Sequence, residues 1–225
     1  MNIVIYDLEI KNSVGQGHPI GWNDKDKMGI SVAVTFDYLS GEYKIWMDDN
    51  LEEFIDMLAS SDMVVGFNSI NFDNPVVTAE AGVQGIELPD DFCASLNALS
   101  YDICKESLAA NGYKRSPGGF KMEDHLSALY GMGKTEDGAD APKFYQAGKL
   151  GKVITYCMAD VHRTRLLFEH IWYQGTLKCT KKPKAFKVKR PQEYLGLDIA
   201  TRLPFTLFPT TDKAFESILG AKSVI

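Results

Sequence analysis

A chain of 225 residues, 45% hydrophobic and 24% charged, can bury a core of its own and has the balance of a globular protein, which excludes a disordered or fibrous one. Its formal charge of −6 excludes bulk attraction to nucleic acid, so any phosphate binding has to be confined to part of the surface. No apolar run approaches the ~20 residues that cross a bilayer, and no basic region followed by an apolar stretch opens the chain, so it reads as cytoplasmic with no membrane partner.

The β-branched and aromatic residues of NIVIYDLEI, 2–10, predict a strand that ends in Asp7 and Glu9. Period-2 alternation sends both acids to one face. There they repel each other unless a cation neutralises both, or unless the strand end frays into solvent. Residues 11–27, rich in Gly, Asn, Asp and Lys, predict a long loop. Two further strand-type runs flank Leu39-Ser40-Gly41 and predict an antiparallel hairpin. Asp48, Asp49 and Asn50 offer caps for a helix with Leu51, Phe54, Ile55 and Leu58 at helical spacing.

DMVVGF, 62–67, predicts a short buried strand. The turn after it delivers Asp73 to the start of a helix that runs to Gly82, where a carboxylate suits the free N–H groups and also suits an ordinary cap. LSYDIC, 99–104, fits a strand or the start of a helix. A helical period follows in KMEDHLSALYGMG, then a loop over 134–142, and then a long helix from about Leu150 to Tyr173. On that helix Tyr156 and Asp160 stand four apart and project from one face. His162 lies two residues further on, away from that face, which suits a surface or packing role. Cys93, Cys104, Cys157 and Cys179 are widely spaced, without zinc-type pairs, and read as reduced thiols. Beyond Gly175, KCTKKPKAFKVKR holds seven cations and no anion. It reads either as a phosphate-binding patch or as a solvated surface.

Taken in order, YDLEI, NSINFD and YCMAD resemble the three motifs of the DEDD 3′-5′ exonucleases in their tyrosine form, members of the ribonuclease H-like superfamily. The resemblance covers residues 2 to about 172. It implies an α/β fold with a ribonuclease H-like mixed five-stranded sheet flanked by helices, over residues 1–175. A basic C-terminal extension, 176–225, would form a small β-appendage and a short helix packed on or beside it. It also implies a metal-dependent exonuclease that converts nucleic acid, single-stranded DNA before RNA, to nucleoside monophosphates. The cofactors it implies are two Mg²⁺ or Mn²⁺ ions, about 4 Å apart in such sites. By the same resemblance Asp7 bridges both ions, Glu9 and Asp160 complete one site, Asp73 holds the second ion, and Tyr156 orients the attacking water. Asn68 and Phe72 would shape the pocket for the terminal nucleotide, Phe72 suiting core packing equally well. Lys181, Lys182, Lys184, Lys187 and Lys189 would track the backbone. An exoribonuclease, a structure-selective endonuclease or a non-catalytic nucleic-acid-binding subunit are the competing readings, and the oligomeric state stays open.

Overall fold

The computed structural model describes residues 1–133 and 140–207. Five strands, β1 (Ile3–Ile10), β2 (Ile30–Asp37), β3 (Glu42–Trp46), β4 (Met63–Gly66) and β5 (Ser100–Asp102), form one sheet in the order β3-β2-β1-β4-β5. β2 is antiparallel to β1 and β3, while β4 is parallel to β1 and β5. The result is an α/β fold with a mixed sheet of the ribonuclease H-like kind, flanked by helices on both faces.

The two faces follow from the alternation along β1. Val4, Tyr6 and Leu8 pack with Phe54 and Leu58 of α1 (Leu51–Ala59), Val76 and Val77 of α2 (Asp73–Gln84) and Leu96 of α3 (Phe92–Leu99). Ile3 and Ile5 face the other way, where they join Ile103 of α4 (Ile103–Ala110), Leu126 of α5 (Met122–Tyr130) and Ala141 of α6 (Ala141–Gln146). That layer is completed by Val153, Cys157, Val161 and Phe168 of the long helix α7 (Leu150–Gln174). Asp7 and Glu9 continue the row of Ile3 and Ile5, so the pleat aims both acids at α7.

Several local features differ from the sequence expectation for physical reasons. Helix α2 runs through Gly82 and stops two residues after it, because Gly85 takes the left-handed conformation (φ 73°) that closes a helix end. Residues 99–104 supply both alternatives, with strand β5 leading directly into α4 and Asp102 capping the new helix at Lys105 N. Helix α3 lacks a strong periodic signal, since only Phe92 and Leu96 of its eight residues are buried. Asp48–Asn50 form a 3-10 turn, and the Asn50 side chain accepts from Met47 N instead of capping α1. The loop expected over 134–142 lies partly outside the described residues, but Ala141 and Pro142 already belong to α6.

After Gly175 a hairpin of β6 (Thr176–Cys179) and β7 (Lys182–Lys187) leads to α8 (Pro191–Leu195). Leu177, Val188 and Leu203 are buried in the same cluster as the sheet. The buried His125 of α5 ties the hairpin down, donating from Nδ1 to Lys178 O at 2.6 Å while Nε2 faces Ser107 Oγ at 3.1 Å. Residues 208–225 of the expected extension lie outside the described residues. A second anchor sits deeper, where the fully buried Glu169 of α7 accepts from four donors. These are Tyr38 OH at 2.9 Å, Arg165 Nε at 2.8 Å, Thr206 Oγ1 at 2.7 Å and Leu207 N at 2.6 Å. Among the described residues no helix is long and apolar enough to cross a membrane, and all four cysteines are free thiols.

Candidate active site

The central strand positions the first two acids. Just past Glu9 the β1–β2 register slips from Glu9↔Val32 to Ile10↔Ile30, leaving Ser31 as an extra residue whose hydroxyl donates to Glu9 O at 2.9 Å. Such a bulge bends the strand end and re-aims its side chains. On the facing helix Asp160 projects toward the same space. Asp7, Glu9 and Asp160 each offer a carboxylate oxygen, and these oxygens lie within 4.8 Å of one another. Arg163, one turn along α7, pairs with Asp160 through Nη1 at 2.6 Å.

Asp73 arrives from the other layer as the first residue of α2 and is only 5% exposed. The loop that delivers it is held by an acid that the motif pattern does not include. Asp102, almost fully buried, accepts from Asn68 N at 2.9 Å and from Ile70 N at 3.2 Å. Asn68 adopts φ 66°, a left-handed geometry that Asn tolerates better than most residues, and its carbonyl accepts from Asn71 N and Phe72 N. Behind the loop Tyr6 donates to the Asn74 side-chain oxygen, while the Asn74 amide donates to Asn97 Oδ1 at 2.7 Å and Ser100 Oγ at 3.0 Å. Asn74, buried next to Asp73, is therefore fully paired and fixes the start of α2.

Electrostatically the four acids work against one another. Burial and the charges of Asp73, Asp160 and Glu9 push the Asp7 carboxyl well above the usual carboxylate range. Burial, then Asp160 and Asp73, do the same to Glu9. Burial raises Asp73 to about 7, against the pull of backbone N–H bonds from its own residue and Leu8. Asp160 is raised by burial as well, although Arg163 works in the opposite direction. Tyr156 lies beside this group, and burial followed by the Asp160 and Glu9 charges holds its phenol far above its ordinary value. Cys157 packs beneath Asp7, its Sγ 3.3 Å from Asp7 O.

From Asp160 a groove of 440 Å³ opens, lined by Phe67, Asn68, Phe120, Lys121 and Arg163. The turn of the basic hairpin borders it, since Thr180 Oγ1 donates to Asp124 at 2.5 Å and Lys181 N reaches Gly119 O at 3.5 Å. Lys181, Lys182, Lys184 and Lys187 are exposed along the hairpin. Lys189 is also exposed, but its ammonium sits 3.8 Å over the Tyr194 ring. Phe72 is not part of the groove wall; it packs partly buried against the α1–α2 layer. His162 lies outside the carboxylate group, with Nδ1 3.2 Å from Tyr43 OH. Sequence patterning did not single out Asp102 or Arg163. For Asp102 the available signal was an acid directly before an apolar helical run; for Arg163 it was only its position three residues after Asp160.

No protein-family model and no curated protein matches this chain. Among solved structures the chain is similar to the family B DNA polymerase from the hyperthermophilic archaeon Pyrobaculum calidifontis, with a TM-score of 0.50 and 15% sequence identity. The match covers 76% of this chain and 24% of the polymerase chain. At that identity the likeness is one of fold.

Proposed function

We propose that this chain is a metal-dependent 3′-5′ exonuclease that hydrolyses phosphodiester bonds and releases nucleoside monophosphates, with single-stranded DNA the first substrate and RNA the second. The observation that carries this reading is the meeting of Asp7, Glu9 and Asp160 within 4.8 Å, with Asp73 buried alongside. Acids gathered from a strand and two helices, each raised by burial, need a neutralising partner. Three carboxylates in one place form a hard, all-oxygen donor set that fits Mg²⁺ or Mn²⁺. The fold likeness to a protein named as a DNA polymerase is consistent with work on nucleic acid.

Two bound divalent ions supply the positive charge that eases attack on an anionic phosphate and stabilises the departing oxygen. Asp7, Glu9 and Asp160, whose carboxylate oxygens meet, would hold such ions together with the buried Asp73, with Asp7 the ligand shared between them. Arg163 fixes the Asp160 carboxylate through their ion pair. A phenol ordinarily titrates near 10, far above neutral pH, and burial and the neighbouring acids raise Tyr156 further. It therefore orients the attacking water as a hydrogen-bond donor and does not act as a base. Asn68 lines the groove that would take the strand end, and the exposed lysines of the hairpin contact the backbone leaving it.

The test is digestion of 3′-labelled and 5′-labelled DNA and RNA oligonucleotides in Mg²⁺, Mn²⁺ or EDTA. The 3′ label is expected to leave first as a mononucleotide, with no reaction in EDTA and no cleavage of a circular single strand. Cleavage of the circle, or of a strand with a blocked 3′ end, would assign an endonuclease instead. Hydrolysis of neither DNA nor RNA in either metal would remove the nuclease reading.

Replacing Tyr156 by Phe keeps the ring and deletes the hydroxyl. The expected result is a drop in kcat of about 10- to 100-fold with nearly unchanged substrate binding, the pattern of an interaction made in the transition state. Equal single-turnover rates for the two proteins would return Tyr156 to packing.

A further inference from the structure

Residues 11–27, which composition predicts as a plain loop, are a built structure. Gly15 N donates to Ile20 O at 2.9 Å and His18 N to Gly15 O at 3.0 Å. The Asn12 side chain donates to Lys27 O at 2.9 Å, and Asp24 Oδ2 accepts from Gly21 N at 2.8 Å. The loop displays Trp22, which is 61% exposed, whereas Trp46 and Trp172 are 2% and 0% exposed. Its indole lies over Gly15, where an added Cβ would stand 2.8 Å from the ring nitrogen, so glycine (φ 92°) is what lets the ring rest there. An ordered loop that holds its one tryptophan out in water is arranged for a ligand with a flat apolar face.

Its position suggests which ligand. Trp22 meets the ring of Phe72 edge-on, with centroids 6.1 Å apart, and Phe72 directly precedes Asp73. Lys25 places its ammonium over the Phe72 ring as well, 4.3 Å from its centroid. With Phe72 already in contact with both residues, Trp22 is the aromatic surface left open beside the Asp73 end of the acids. A flat apolar face next to a cation matches one unpaired base and its phosphate. A base pair inside a duplex shows no such face.

We propose that Trp22 and Lys25 form a nucleotide-binding platform beside the carboxylate group, Trp22 stacking on an unpaired base of a single strand and Lys25 meeting an adjacent phosphate. This rests on the nuclease reading and adds to it a specific preference for single strands with intact bases.

The experiment uses the whole chain carrying Asp7→Asn, so that a short oligothymidylate probe survives in Mg²⁺. Trp46 and Trp172 also emit but are buried away from a ligand, so the part of the quenching that is lost on adding Trp22→Phe is the part that reports on Trp22. The expected result is quenching by the oligothymidylate and little quenching by an abasic strand of equal length. Adding Trp22→Ala is expected to weaken binding of the fluorescein-labelled oligothymidylate about 10-fold, Trp22→Phe to restore most of it, and Lys25→Gln to weaken both strands alike. Equal affinity for Trp22→Ala, or equal quenching by the abasic strand, would overturn the proposal. If the protein with Asp7 intact still digests oligonucleotides in that event, only the platform is lost. If it neither binds nor digests them, the nuclease reading falls too.

Discussion

Asp7→Asn is expected to lower hydrolysis about a thousand-fold or more while the protein stays folded. The side chain keeps its size but loses the charge shared between the two halves of the site, and a loss of several kcal/mol of transition-state stabilisation gives a factor of that order. Stability in EDTA should move the other way. Asp7 is raised by burial and by three neighbouring acids, so deleting its charge relieves repulsion, and Tm should hold or rise by a few degrees. Circular dichroism and a melting curve in EDTA check the fold, and single-turnover cleavage checks the rate. A folded Asp7→Asn protein with parent activity would end the catalytic assignment.

The second large effect is a pH-dependent stabilisation by Mg²⁺. Without metal, Asp7, Glu9, Asp73 and Asp160 all have raised pKa values in the fold, Asp73 at about 7. A raised carboxyl adds stability below its unfolded value near 4 and loses that stability as pH rises through the folded value. The metal-free protein should therefore lose stability as pH rises above about 4, from Asp73 by about pH 7 and from the other acids as each ionises. His125, His162 and His170 are lowered by burial, His170 to about 4, so they oppose this trend below about pH 6.5. The difference between Mg²⁺ and EDTA removes the histidine contribution, since it is common to both. That difference should be small at pH 5 and grow to a few kcal/mol, on the order of 10 °C in Tm, at pH 8. Scanning calorimetry at the two pH values measures it. A Mg²⁺ effect independent of pH would show that metal does not replace protons on these acids.

What the sequence made legible was whatever repeats with a period or sits in an ordered motif. The alternation of residues 3–9 predicts both the strand and the shared face of Asp7 and Glu9. The spacing of Tyr156 and Asp160 likewise predicts their common side of α7, and the order of strand types predicts the mixed sheet. What stayed hidden depends on contacts between distant segments. Asp102 matters through the backbone amides of Asn68 and Ile70, and no local pattern encodes that. Helix α3 has too small a buried face to register as amphipathic. The loop of residues 11–27 has a loop's composition, yet its structure comes from hydrogen bonds between its own ends.

One consequence of helix α7 concerns which changes of chain length the protein can accept. The same unbroken helix presents Asp160 to the acids of β1 and, nine residues later, Glu169 to Tyr38 and to the backbone of Leu207. Each residue added to a helix turns everything beyond it by about 100° and shifts it about 1.5 Å. A one-residue insertion or deletion between these two positions would thus leave either the acid or the anchor facing the wrong way. Related chains that gain or lose residues should do so in the loops and leave the interval from Asp160 to Glu169 constant, making that distance a ruler for aligning sequences too diverged to compare residue by residue.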